Sequence, residues 1–241
     1  MSSTTSSPSM PSGCDPAVLL KLQQFADSAL PIGGASHSFG LEFLAEVGLL
    51  TADSVEAFLV EYLNEAGTLE AAYCSSSCAL ALGGFDESAA HQWLAWDTEL
   101  GARKLARESR DGSAAMGRRF LDLAARVSGI PLLIRARELA DVELQLAPCF
   151  GLVAGAIEIE PELAACAYLQ QSVAALVSCC QRLLPLGQTS AQQILWNLKP
   201  AIIKVAKRGS ATAPASAECF APLLDVASAR HVSMHTRLFI S

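Results

Sequence analysis

Aromatic residues and charge are both scarce in this sequence. Phe, Trp and Tyr make up 6% of its 241 residues, and Asp, Glu, Lys and Arg only 17%. No stretch alternates apolar and polar side chains for about six residues between turn signals, so no β-strand is expected. No fixed period of about 30–45 residues repeats, which weakens a solenoid reading. Basic residues are outnumbered, 17 Lys and Arg against 24 Asp and Glu, for a net charge of −7. That balance argues against a nucleic-acid partner. The one basic cluster, Lys199, Lys204, Lys207 and Arg208, is short and suits a helix C-terminus.

The eight cysteines include no CxxC pair, and the N-terminus lacks the basic and then apolar blocks of a signal peptide. Free thiols in a reducing cytoplasm are therefore expected. Cys74 and Cys78, one helical turn apart, are expected to fill a core rather than hold a metal. The longest uncharged run covers residues 163–181, but Gln170, Gln171 and Ser172 interrupt it. Polar groups at that depth are costly in lipid, so the run is expected to be a central buried helix and no membrane partner is expected.

What the sequence has in excess is Ala and Leu, within a hydrophobic share of 51% and a mean hydropathy of +0.34. These are residues of packed helices, and a chain this apolar is expected to hide surface in a partner or in a copy of itself. Residues 1–16 form a Ser/Pro-rich stretch expected to be a flexible tail, and residues 17–241 one all-helical domain. Val18, Leu22, Phe25 and Ala29 share a helical face that ends before Pro31. Asp53 with Glu56 predicts a capped helix start, and apolar residues from Val55 to Leu69 recur at three and four. A turn is expected at Gly83-Gly84, a loop at Asp111-Gly112-Ser113, and a loose polar passage after Pro131. Further helices are expected at about 147–157, 161–183, 189–207 and 215–236. The fold class is all-α, a single-domain bundle of roughly eight to ten helices with no significant β-sheet.

Chemistry can be sought in the segment LQQFADSALPIGGASHSFGLE, Leu22 to Glu42, where Pro31, Gly33 and Gly34 break a helix just before His37. The glycines feed no GxxxxGK[ST] or GxGxxG pattern and no strand, so a nucleotide loop is not supported. Ser36, His37 and Ser38 are adjacent, and neighbouring helical side chains diverge by about 100°, so they build no triad. No GxSxG elbow is present. Ser36 or Ser38 is expected to cap the following helix. His231 and His235 are four apart and would share the face of a continuous helix, a weak metal candidate without HExxH spacing. None of this assembles an active site.

Three segments carry a family likeness. The corner Asp27, Ser28, Leu30, Pro31, Gly33, Gly34, followed by Ser36, His37, Ser38 and Gly40, Leu41, Glu42, resembles the N-terminal signature of the UreF family of urease accessory proteins. Arg182, Pro185, Leu186, Gly187, Gln188 and Gln192 resemble that family's R-L-x-P-L-G-Q segment. Pro222, Asp225, His231, Arg237, Leu238, Phe239 and Ser241 resemble its closing pattern.

The resemblance implies an all-α, dimer-forming, cytoplasmic protein that is not an enzyme. It implies a scaffold that binds UreD/UreH, recruits and modulates the GTPase UreG, and assists Ni²⁺ delivery to apo-urease. Nickel would be transient cargo of the complex, with no tightly bound cofactor. Partner contact is expected at Asp27, Ser28, Pro31, Gly33, Gly34, Ser36, His37 and Glu42, as a presented surface or tunnel mouth. His231, Arg237 and Phe239 are expected to form a docking arm. The alternative is a generic oligomeric helical adaptor unrelated to urease.

Overall fold

The computed structural model describes residues 15–139 and 144–240. Most of the expected tail, with Cys14 and Ser241, lies outside the described residues. Among those residues the chain is helical throughout, with no strand: α1 (Pro16–Phe25), α2 (Leu41–Glu46), α3 (Val55–Tyr62), α4 (Thr68–Leu82), α5 (Glu87–Arg103), α6 (Arg107–Ser128), α7 (Pro131–Leu139), α8 (Leu146–Ala156), α9 (Pro161–Leu183), α10 (Gln188–Asn197), α11 (Lys199–Ser210) and α12 (Pro222–His231). A π-helical turn, Leu63–Gly67, joins α3 to α4 without a break.

α4 is the axis, packed against α8, α9 and α11. Its closest neighbour is α8, because two glycines one turn apart face two cysteines one turn apart. A Cβ on Gly151 would lie 2.0 Å from the Cys74 carbonyl oxygen, and one on Gly155 would lie 2.4 Å from that of Cys78. Only hydrogen side chains allow the two backbones this near. Cys74 and Cys78 are fully buried in the core. Burial pushes the Cys74 thiol up and the Cys78 thiol to about 12, so neither is a thiolate. Cys78 instead donates to the Ile159 carbonyl at 3.1 Å.

The expected central helix is α9, whose Leu169, Val173, Val177 and Cys180 are buried. It is the one helix among the described residues long and apolar enough to cross a membrane. Here it packs inside the bundle against α4, α8, α10 and α11.

Several boundaries differ from the sequence expectation. No loop forms at Asp111-Gly112-Ser113: α6 runs through it, because Gly112 and Ser113 are buried and the Ser113 hydroxyl accepts from Leu146 N–H at 3.3 Å. Tertiary contact overrides the local breaker. The passage after Pro131 does not begin loosely: its first part, Pro131–Leu139, forms α7. The expected helix over 189–207 divides into α10 and α11, with Pro200 in the first turn of α11, where its missing N–H costs nothing. Asp53 does not cap α3, whose N-cap is Ser54 without a side-chain cap bond. The helix expected over 215–236 is only α12, and the chain leaves it at His231.

Candidate functional site

The corner after α1 is built from local hydrogen bonds. The Asp27 carboxylate accepts from Ala29 N–H at 2.8 Å, an Asx turn, and the Asp27 carbonyl accepts from Leu30 N–H. Pro31 follows, and Gly33 adopts φ +92°, turning the chain into a short 3₁₀ segment, Gly34–Ser36. Arg119 of α6 donates to the Ile32 carbonyl at 3.3 Å, its guanidinium occupying the space a side chain on Gly33 would need. Gly40, at φ +90°, is the N-cap of α2. Neither Ser36 nor Ser38 caps that helix, so the expected serine cap is corrected: Ser38 contributes its carbonyl to Leu41 N–H while its side chain is fully buried.

Four of the residues expected to present a surface lie inside. His37, Glu42, His231 and Phe239 are buried, whereas Asp27, Ser28, Pro31 and Arg237 are exposed and Gly33, Gly34 and Ser36 are half-buried. The His37 imidazole is held below its ordinary pKa, by burial first and by the Arg119 charge second, against an opposing pull from Glu108. It is neutral at neutral pH.

Glu42 and His231 belong to a polar cluster that joins the two ends of the fold. His231, at the last position of α12, places Nε2 2.8 Å from Glu42 Oε2 and Nδ1 3.0 Å from Glu108 Oε2. Glu42 also accepts from the backbone N–H groups of Leu238 at 2.6 Å and Phe239 at 3.2 Å. Burial raises the Glu42 pKa, but the Leu238 N–H, His231 and the Phe239 N–H together outweigh it and leave the carboxyl below its usual range. Ile240 N–H donates to the Ser36 carbonyl at 2.8 Å. Arg182, from α9, lies 4.2 Å over the Phe239 ring. Ser109 of α6 bonds Ser228 of α12 at 3.0 Å.

The three sequence segments with a family likeness thus meet at one place. The corner supplies Glu42 and Ser36, the R-L-x-P-L-G-Q segment supplies Arg182, and the C-terminal segment supplies His231 and Phe239. Sequence reasoning missed Glu108 and Arg119, which sit in an ordinarily charged helix with no motif around them.

Beneath α12 lies a cavity of about 340 Å³. Phe39, Met116 and Leu176 line its apolar part, and Leu224 and Ser228 of α12 close one side. At the other end Lys104 pairs with Glu70, which also accepts from the Tyr168 hydroxyl at 2.6 Å.

No group of three or more His, Cys, Asp or Glu among the described residues is arranged to hold a metal. The helical face expected to join His231 and His235 does not form, because α12 ends at His231. Both His231 nitrogens are taken by carboxylates.

Comparison with known proteins finds relatives along nearly the whole chain. The UreF family model matches residues 49–199, which span α3 to the start of α11. The urease accessory protein UreF of Bacillus sp. (strain TB-90) is 30% identical over 228 residues, covering 92% of this chain and 99% of that protein. The proteins of the same name from Thermosynechococcus vestitus and Trichormus variabilis are each 30% identical, over 231 and 224 residues. They cover 93% and 92% of this chain and 98% and 95% of their own lengths. With more than half its length matched by the family and relatives aligned nearly end to end, the chain belongs to the UreF family.

Proposed function

We propose that the chain acts in the cytoplasm as a urease accessory protein, a non-enzymatic chaperone for nickel insertion. The helical unit from residue 17 onward works as a single domain. It binds a UreD/UreH partner, recruits and modulates the GTPase UreG, and assists Ni²⁺ delivery to apo-urease, with nickel as transient cargo. A homodimer suits its exposed apolar residues, among them Trp196 and Ile203.

The observation that carries this reading is the end-to-end similarity to proteins named urease accessory protein UreF. The geometry supports a particular docking arm. Phe239 points into the fold while Leu238 and Ile240, at 62% and 69% exposure, point out beside the exposed Arg237. The outward residues are the ones free to meet a partner, and Phe239 anchors them. The corner residues Asp27, Ser28, Pro31, Gly33, Gly34 and Ser36 form the neighbouring part of the same surface. His37, Glu42 and His231 act from beneath it by fixing its shape.

The test is co-purification of UreD/UreH with the Leu238→Asp/Ile240→Asp double variant. Loss of the partner with unchanged thermal unfolding is expected, since both side chains are in solvent. Undiminished capture would sink the docking arm. Deleting the gene should abolish urease activity, with partial recovery in excess nickel, and activity unaffected by deletion would sink the urease assignment itself.

A further inference from the structure

Folded interiors leave few voids larger than a water molecule, yet α12 stands over a cavity of about 340 Å³. That volume lies at the lower end of the range of small-molecule sites. The wall is mostly apolar, but four charged side chains reach it: Glu70, Arg103, Lys104 and Asp225. His37 also lines it and, held below its ordinary pKa by burial first, adds no charge.

The bonds that this lining leaves open are of one kind. Arg103 is fully engaged, donating to Glu99 at 2.6 Å and to the Ala215 and Ala217 carbonyls. Lys104 is paired with Glu70, whose other oxygen accepts from Tyr168. Asp225, in the first turn of α12, has no hydrogen bond or ion pair to its carboxylate among the described residues. Gln171 of α9 is only 6% exposed and donates from Nε2 to the Asp27 carbonyl at 3.3 Å, but its amide oxygen has no partner. Buried polar atoms are nearly always bonded, so an orphan in a cavity wall marks a missing donor. Both open groups accept, and one carries a charge. We infer that the cavity is a binding site for an organic ammonium ion: its cationic end at Asp225, an apolar body against Phe39, Met116 and Leu176, and a second donor for the Gln171 oxygen. The site is separate from the outward docking residues and stands whether or not the urease assignment does.

The field at the Asp225 end has the matching sign. The Cys219 thiol, in the same wall, is pushed up to about 11 by burial first and then by Asp225, Glu65 and Glu70, with Lys104 alone opposing. The Asp225 carboxyl is itself raised, by burial first, against the pull of Lys104. An ammonium ion there supplies the missing counter-charge, whereas a bound anion would be a fourth negative group beside three. Cys219 is exposed and Asp225 half-buried, so this end opens to solvent and the ammonium need not shed all its water.

The experiment is calorimetric titration of the full chain at neutral pH with three molecules that share an indole body and its N–H donor. Tryptamine ends in an ammonium, tryptophol in a hydroxyl and indole-3-propionate in a carboxylate. Tryptamine should bind about tenfold or more tightly than either of the others, the effect of one charge-assisted hydrogen bond. Amide chemical-shift changes should fall at residues 168–176 and 224–228. Asp225→Asn should bring tryptamine down to the affinity of tryptophol, with thermal unfolding unchanged because the carboxylate holds no bond in the fold. Ala175→Leu, which narrows the cavity from α9, should weaken tryptamine binding. No binding of tryptamine overturns the site, as does equal affinity for all three molecules or a preference for the carboxylate. A tryptamine preference that survives Asp225→Asn, binding undiminished by Ala175→Leu, or shift changes confined to the exposed face around Trp196 and Ile203 also overturns it.

Discussion

Gly40 shows how much one residue can carry for two independent reasons. Its φ of +90° favours glycine, and a Cβ there would sit 2.8 Å from the Ser228 backbone nitrogen on α12. Gly48, at φ +73°, has nothing within 4 Å. Substitution at Gly48 should cost only the left-handed strain of an L-residue, about 1 kcal/mol. Gly40→Ala adds an overlap with backbone that cannot rotate away, so its cost should be about 2–4 kcal/mol. Urea unfolding of the two variants separates conformational from packing cost. Equal losses would mean that α12 yields freely to the corner. The glycine itself was legible in the sequence as part of the corner motif. Its packing role was not, because Ser228 lies near the other end of the chain and no local pattern connects the two.

At the scale of elements, the sequence was most readable where periodicity is long and least readable where tertiary contact overrules a local signal. α9 could be read because 23 residues without an interior breaker admit one structure. The Asp111-Gly112-Ser113 loop misled because Gly112 and Ser113 are buried and the Ser113 hydroxyl meets Leu146 at the start of α8. The α4–α8 seam lies between the two cases. Cys74 and Cys78 were expected in a core, but the Gly151 and Gly155 that face them could be recognised only once the helices were paired. That pairing makes a sharp prediction. Gly151→Ala would press a methyl group onto a main-chain carbonyl and should cost about 3 kcal/mol or more, lowering Tm by roughly 6–12 °C for a chain of this size. Gly187→Ala, with open space around its Cβ, is the control and should leave Tm nearly unchanged. Calorimetry on the two variants decides whether the seam is as tight as the distances say.

On the scale of the whole molecule, helical content and family likeness were both visible in the sequence, but the meeting of the three likeness segments was not. Glu42, Arg182 and Phe239 stand far apart along the chain, and only folding shows that they share one place. Of the residues that looked most suited to recognition, His37 is buried, and Glu42 and His231 hold the two ends together from inside. Exposed neighbours such as Asp27, Arg237, Leu238 and Ile240 form the outer surface. Stability should therefore be uneven, with the α4–α8–α9 core exchanging only on global unfolding and the terminal junction opening below that limit. Phe239→Ala removes the ring that fills the junction and the cation–π contact with Arg182. It leaves the backbone N–H bond to Glu42 available. Amide exchange at residues 36–42 and 232–240 should accelerate about tenfold to a hundredfold while α4 and α8 keep their protection. If α4 and α8 lost protection in step with the junction, the chain would be unfolding as one unit, and the two ends would be part of the core rather than a separable clasp upon it.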